Sequence, residues 1–138
     1  RAAPLGEMLR RGFRVGLGTD SVASVSPLDL LAEAREARAI GGLDADATLR
    51  LATLDGARAL GLDREVGSLV PGKWGDVVAW DLPGAVDGSR LADTLLSLPC
   101  SAVRRTVLGG RDVYQRPDHA SARVPALRDS RPIQEPNP

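Results

Sequence analysis

The segment RVGLGTD, ending at Asp20, constrains the architecture of this chain more than any other. Residues 14–18 read as a short apolar strand that follows an amphipathic helix over residues 5–11 and a Gly12 stop. A helix followed by a strand is half of an α/β repeat, and such a strand is completed only by parallel neighbours. The strand also delivers a carboxylate at its end. Taking a carboxylate out of water costs several kcal/mol unless an ion or a set of donors offsets it, so Asp20 needs a partner. It can act locally, as an N-cap or Asx-turn residue leading into SVASVSP, or it can serve a chemical site.

No parallel neighbours follow. Ser26 reads as an N-cap with Pro27 in the first turn of a helix whose apolar face carries Leu30, Leu31, Ala34 and Ala37 and which stops at Gly41-Gly42. A second helical stretch starts near Asp44, and Asp55 reads as the cap of a short piece, residues 56–60, that Gly61 ends. From Glu65 the pattern changes to strands. Pro71-Gly72 is the centre of an expected type II turn, residues 77–80 form an apolar strand, and residues 103–108 and 111–115 flank Gly109-Gly110 as a hairpin. From Arg116 the chain is rich in Pro, Arg and Ser, with five of the ten prolines after that point, and reads as a solvated tail. The expected division is therefore 1–62, 63–115 and 116–138. One α/β unit followed by a few strands closes neither a barrel nor a doubly wound sheet, so the chain reads as the end of something larger.

Composition narrows the function classes. Eighteen basic side chains balance eighteen acidic ones, and the arginines of the tail (Arg116, Arg123, Arg128, Arg131) are interleaved with acids, which argues against nucleic acid or a charged membrane surface as partner. No apolar run approaches the roughly 20 residues that span a bilayer. The single cysteine, Cys100, excludes an internal disulfide framework, making a reducing cytoplasm the default location. With no histidine near it, Cys100 reads as a packed small hydrophobe, and Trp74 and Trp80 as core or interface residues. His119 reads as solvated, Lys73 and Asp76 as folding residues around the Pro71-Gly72 turn.

Four stretches in order, LRRGFRVGLGTDSVAS, LRLATLDGARALGL, VGSLVPGKWGDVVAWD and VRRTVLGGRDVY, resemble the C-terminal third of the amidohydrolase superfamily. The nearest likeness is to its branch of cytosine, guanine and S-adenosylhomocysteine deaminases and chlorohydrolases. The resemblance implies an α/β fold: the last strand and helices of a TIM (β/α)8 barrel, together with strands of a small composite β-sandwich. Residues 14–18 would be the eighth barrel strand and Asp20 would stand at its C-terminal mouth, where barrel enzymes keep their active sites. There it would serve as a ligand of a divalent metal, zinc or iron, and as a proton shuttle in the hydrolytic deamination of a small purine, pyrimidine or nucleoside-like heterocycle. Ser21 and Ser24 would line the substrate pocket, unless they are capping or turn residues.

The family's other ligands are histidines from earlier strands, and this chain has one histidine, His119, in its tail. A catalytic zinc takes about three protein ligands, so the expectation is that the chain alone binds no metal and is inactive. It would then be the C-terminal fragment of a longer enzyme, completed by a missing N-terminal half or by homo-oligomers. The alternative is a non-catalytic truncated module that associates with a partner chain through the strand edge and helix faces it would otherwise expose.

Overall fold

The computed structural model describes residues 4–20 and 28–117. Four helices come first: α1 (Leu5–Arg10), α2 (Leu30–Gly41), α3 (Ala45–Leu51) and α4 (Leu54–Leu60). They are followed by strand β1 (Val77–Trp80), helix α5 (Leu91–Ser97) and the hairpin β2 (Val103–Leu108) and β3 (Arg111–Gln115). The fold is thus a mixture of helices and strands. None of these helices is long and apolar enough to cross a membrane.

Local chemistry explains most boundaries. Helix α1 ends where Gly12 turns left-handed, and Gly42 and Gly61 close α2 and α4 in the same conformation. The carboxylate of Asp44 accepts the Ala47 N–H at 2.7 Å and caps α3. Two expected caps are corrected. Helix α2 begins at Leu30, capped by Asp29, whose carboxylate accepts the Leu31 N–H at 2.9 Å; Ser26 and Pro27 lie outside the described residues. Asp55 does not cap α4 but lies in its first turn behind Thr53, because its carboxylate is taken by the guanidinium groups of Arg50 and Arg58, at 3.2 and 2.8 Å. Burial pushes the Asp55 carboxyl up, but the hydrogen bonds and charges of the two arginines outweigh it and leave the group below its ordinary value.

The segment expected as a strand over residues 14–18 forms no ladder among the described residues. It runs as irregular chain, with the Leu17 N–H donating to the Leu51 carbonyl at 3.4 Å, because a strand exists only through a neighbour and the first half of this fold is helical. Its apolar side chains nevertheless dock. One cluster consists of Ala34, Ala45, Ala92 and Leu96, the other of Leu5, Ala37 and Leu51, and Leu17 packs against both. Thr48, fully buried, satisfies its hydroxyl on the Asp44 carbonyl at 2.7 Å.

Helix α5 was not anticipated. Leu91, Leu95 and Leu98 recur at helical spacing, but Pro99 follows so closely that only two turns form. It returns from the strand region to pack on α2 and α3, with Ala92 and Leu96 entering the first cluster.

The three strands form an antiparallel sheet in the order β1-β2-β3. Gly109 and Gly110, both at positive φ, make the two-residue hairpin turn, the type I′ arrangement that matches strand twist. The Pro71-Gly72 turn is also as expected, with Gly72 at φ 90° and the Lys73 N–H bonded to the Val70 carbonyl. Asp76 accepts the Gly109 N–H at 2.6 Å, so it pairs with a turn remote in sequence. Lys73 Nζ donates to the Val66 carbonyl at 3.1 Å. Cys100 is exposed, correcting the expectation of a packed residue: it opens a short 3₁₀ turn between α5 and β2 rather than a core strand.

Apolar side chains remain uncovered on a large scale. Leu60, Leu69 and Trp74 are 76%, 73% and 58% exposed, and β3 is exposed along its whole length. Trp80 is half-buried.

Candidate active site

The approach to Asp20 is set by two glycines. A Cβ placed on Gly16 would stand 2.8 Å from the Gly56 Cα, so the chain entering the site lies directly on the start of α4. Leu17 then pins it to both buried clusters. Three residues later the backbone turns left-handed at Asp20, φ 56°, the one non-glycine residue with positive φ among those described. That conformation costs an ordinary residue roughly 1–2 kcal/mol, less for Asp, and such residues concentrate at functional sites. Asp20 is exposed rather than buried, since the segment before it has no flanking strands to enclose its end. Ser21 and Ser24 lie outside the described residues, as does His119.

Beside this segment lies a cleft of about 1150 Å³. One wall is Gly16, Leu17, Gly18 and the α3–α4 region; the other is the sheet, through Val77, Val78, Trp80 and Val103. Asp20 stands just beyond the lining at Gly18, and Asp29, at the start of α2, belongs to the lining. The cleft is apolar with few polar groups converging on it.

The donor set does not fit a metal by itself. Among the described residues no three His, Cys, Asp or Glu side chains converge as a metal-binding group. What the arrangement offers is the exposed carboxylate of Asp20 on a left-handed turn two residues past the lining, with Asp29 and Asp76 in the lining of an otherwise apolar cleft. Sequence reasoning singled out Asp20 but not Asp29 and its partner Arg35; the available signal was an acid at the start of a helix with an arginine six residues on.

The profile of the amidohydrolase family matches residues 1–113, and the chain belongs to that family. Among individual proteins, it is similar to the 5-methylthioadenosine/S-adenosylhomocysteine deaminases of Teredinibacter turnerae, 39% identical over 89 residues, and Moorella thermoacetica, 43% identical over 88. These alignments cover 59% and 58% of this chain but 20% and 21% of the relatives. The chain thus spans about a fifth of the length of the curated relatives it matches. Among solved structures it resembles E. coli guanine deaminase, with TM-score 0.72 and 29% identity over 82% of this chain and 30% of the other. It also resembles an adenosine deaminase from Xanthomonas campestris with bound zinc, with TM-score 0.73 and 31% identity over 80% of this chain and 28% of that one.

Proposed function

We propose that this chain is the C-terminal part of a hydrolytic deaminase acting on a purine, pyrimidine or nucleoside-like heterocycle, and that Asp20 is the carboxylate it contributes to the reaction. The observation that carries this reading is the amidohydrolase family match over residues 1–113, a range that includes Asp20 on its left-handed turn, together with the likeness of the chain to deaminases. In that reading residues 14–18 are the last strand of a (β/α)8 barrel and residues 63–115 supply sheet to a composite β-sandwich with α5 returning to the barrel side; the expected tail from residue 116 lies, beyond residue 117, outside the described residues. The enzyme works in the cytoplasm, as a homo-oligomer or with its N-terminal half on the same chain. The cleft between helices and sheet then receives the remainder of the protein.

Deamination by hydrolysis forms a carbon–oxygen bond between water and the ring carbon and breaks the carbon–nitrogen bond, releasing ammonia. The water must lose a proton and the leaving amine must gain one. A single accessible carboxylate can perform both transfers, and in this reading Asp20, exposed on its left-handed turn, is that carboxylate. Ser21, next in sequence, and Ser24, four residues after Asp20, are the residues of this chain proposed to contact substrate. The divalent metal that the family resemblance implies, zinc or iron, would draw its remaining ligands from outside the described residues.

In the full-length enzyme that contains this chain, Asp20→Ala should lower turnover by about 10²–10⁴-fold, the range for losing a positioned acid–base group. Turnover within a few-fold of the unsubstituted enzyme would overturn the assignment. A second reading, a non-catalytic module that pairs with another chain, is favoured by the apolar surface left uncovered at Leu60, Leu69 and Trp74. Isolation of the natural protein as a stable complex with a second polypeptide, and no deaminase activity in that complex, would establish it instead.

A further inference from the structure

The chain that leads to Asp20 rests on the corner where α3 meets α4. The Leu17 N–H donates to the Leu51 carbonyl, and the Leu51 side chain, 3% exposed, belongs to the cluster against which Val15 and Leu17 pack. Gly56, in the first turn of α4, abuts both sides of that contact: a Cβ on it would stand 2.9 Å from the Leu51 carbonyl oxygen and 3.9 Å from the Gly16 Cα. Asp55 ties the corner together. Its carboxylate accepts from Nε and Nη2 of Arg50, on α3, at 3.3 and 3.2 Å, and from Nη1 of Arg58, on α4, at 2.8 Å. Gly67 closes a further side, where a Cβ would stand 2.7 Å from the Ala57 Cβ and 3.0 Å from the Leu54 Cα.

From these contacts we infer that the α3–α4 corner positions Asp20 for proton transfer, with Gly56 and Asp55 as its positioning residues; the inference rests on the reading of Asp20 given above. Residues 16–20 are continuous in the structure and carry the position of the corner to the carboxylate. Beyond Leu17 the chain is open: among the described residues nothing lies within 4 Å of where a Gly18 Cβ would be, and Asp20 is exposed. Three residues reach at most roughly 10 Å, so a small tilt where the chain leaves the corner becomes a larger displacement at Asp20. Glycine weakens a helix relative to alanine, so Gly56 in the first turn of α4 calls for a reason, and the close approach of the Asp20 segment supplies one.

Gly110 supplies the control. It is held at φ 74° in the turn between β2 and β3, and the space its Cβ would take is open. An alanine there strains the fold without crowding the corner or residues 14–20. If the corner mattered to folding alone, alanine at Gly56 and at Gly110 would act on activity alike.

The test compares Gly56→Ala, Asp55→Asn and Gly110→Ala in the full-length enzyme that contains this chain, with Asp20→Asn alongside, at a temperature where circular dichroism shows each folded. Steady-state kinetics and amide hydrogen exchange at Leu17 are the readouts. Gly56→Ala should lower kcat by about tenfold with KM little changed, since misplacing a reacting group by about 1 Å costs up to about 100-fold. Asp55→Asn adds no bulk and loosens the corner, so it should lower kcat by a smaller factor, about threefold. Exchange at Leu17 should accelerate in both, because its acceptor on Leu51 is displaced. Gly110→Ala should leave kcat within about twofold and Leu17 exchange unaltered, as sites that share no partners act independently. Equal kcat losses for Gly56→Ala and Gly110→Ala, or unaltered Leu17 exchange in Gly56→Ala, would overturn the inference. Should Gly56→Ala fail to fold, Asp55→Asn decides alone: lower kcat with faster Leu17 exchange supports the inference, and any other result overturns it. An active Asp20→Asn enzyme would instead reject the role of Asp20, while the exchange data would still report whether the corner fixes this chain.

Discussion

Gly16 lies so close to Gly56 that it has no room for a side chain, and Gly56 has none against the Leu51 carbonyl. A Cβ on Gly16 would stand 2.8 Å from the Gly56 Cα, and one on Gly56 would stand 2.9 Å from the Leu51 carbonyl oxygen. Backbone cannot swing aside as a flexible side chain can, so Gly16→Ala should destabilise the protein by about 1–3 kcal/mol, the usual cost of overpacking. Gly18→Ala, two residues on, meets nothing within 4 Å and has ordinary φ, so it should change stability by no more than about 0.5 kcal/mol. Denaturant midpoints at constant m-value compare the two, and equal midpoints would show that the contact is not a tight one.

The Asp55 carboxyl, held below its ordinary value by Arg50 and Arg58 against the opposing effect of burial, makes part of the stability depend on pH. The unfolded carboxyl titrates near 3.9. With the folded value lower, the contribution is fully present above about pH 4 and disappears as pH falls through the folded value. Asp55→Asn should therefore cost about 0.5–1 kcal/mol at pH 7, a figure kept small because both arginines are about half exposed. The difference from the unsubstituted protein should close as the pH is taken well below 4 in urea titrations. A difference that widens on acidification would mean that the pair is not formed in solution.

At the hairpin, Asp76 holds the Gly109 N–H from 33 residues away in sequence. Removing that acceptor with Asp76→Ala should cost about 1 kcal/mol. Gly110→Ala places a Cβ at φ 74° and should cost about 1–2 kcal/mol. The two changes act on one turn, so the double variant should lose less than the sum, as a thermal or chemical denaturation cycle would show. Strict additivity would mean that Asp76 does not stabilise the turn itself.

The hairpin and the helix stops were legible because glycine chemistry at turns is local: Gly109-Gly110, Pro71-Gly72, Gly42 and Gly61 take the conformations their neighbours require. Helix starts were less so. Ser26, Asp29 and Asp55 are all competent caps, and which one serves is decided by tertiary partners, such as the arginines that occupy Asp55. The 14–18 segment was readable as apolar and extended, but a ladder depends on another strand, which sequence patterning of one segment cannot supply. Helix α5 escaped because two turns before a proline carry little periodic signal. Of the candidate site, Asp20 was visible from the residues around it. The bridge from Arg35 to the end of α5 was not, since its acceptors are backbone carbonyls 61 and 63 residues away and carry no side-chain signature.

Leu17 belongs to both buried clusters, and Asp20 follows it by three residues. A disturbance in either cluster therefore reaches the same short piece of backbone. Substitutions at Ala34, Ala45 or Leu51 should therefore disturb the backbone that leads to Asp20 as well as the stability of the core. Sequence change in either cluster meets the same coupling: the packing of the helices can drift only along paths that keep one leucine where it is.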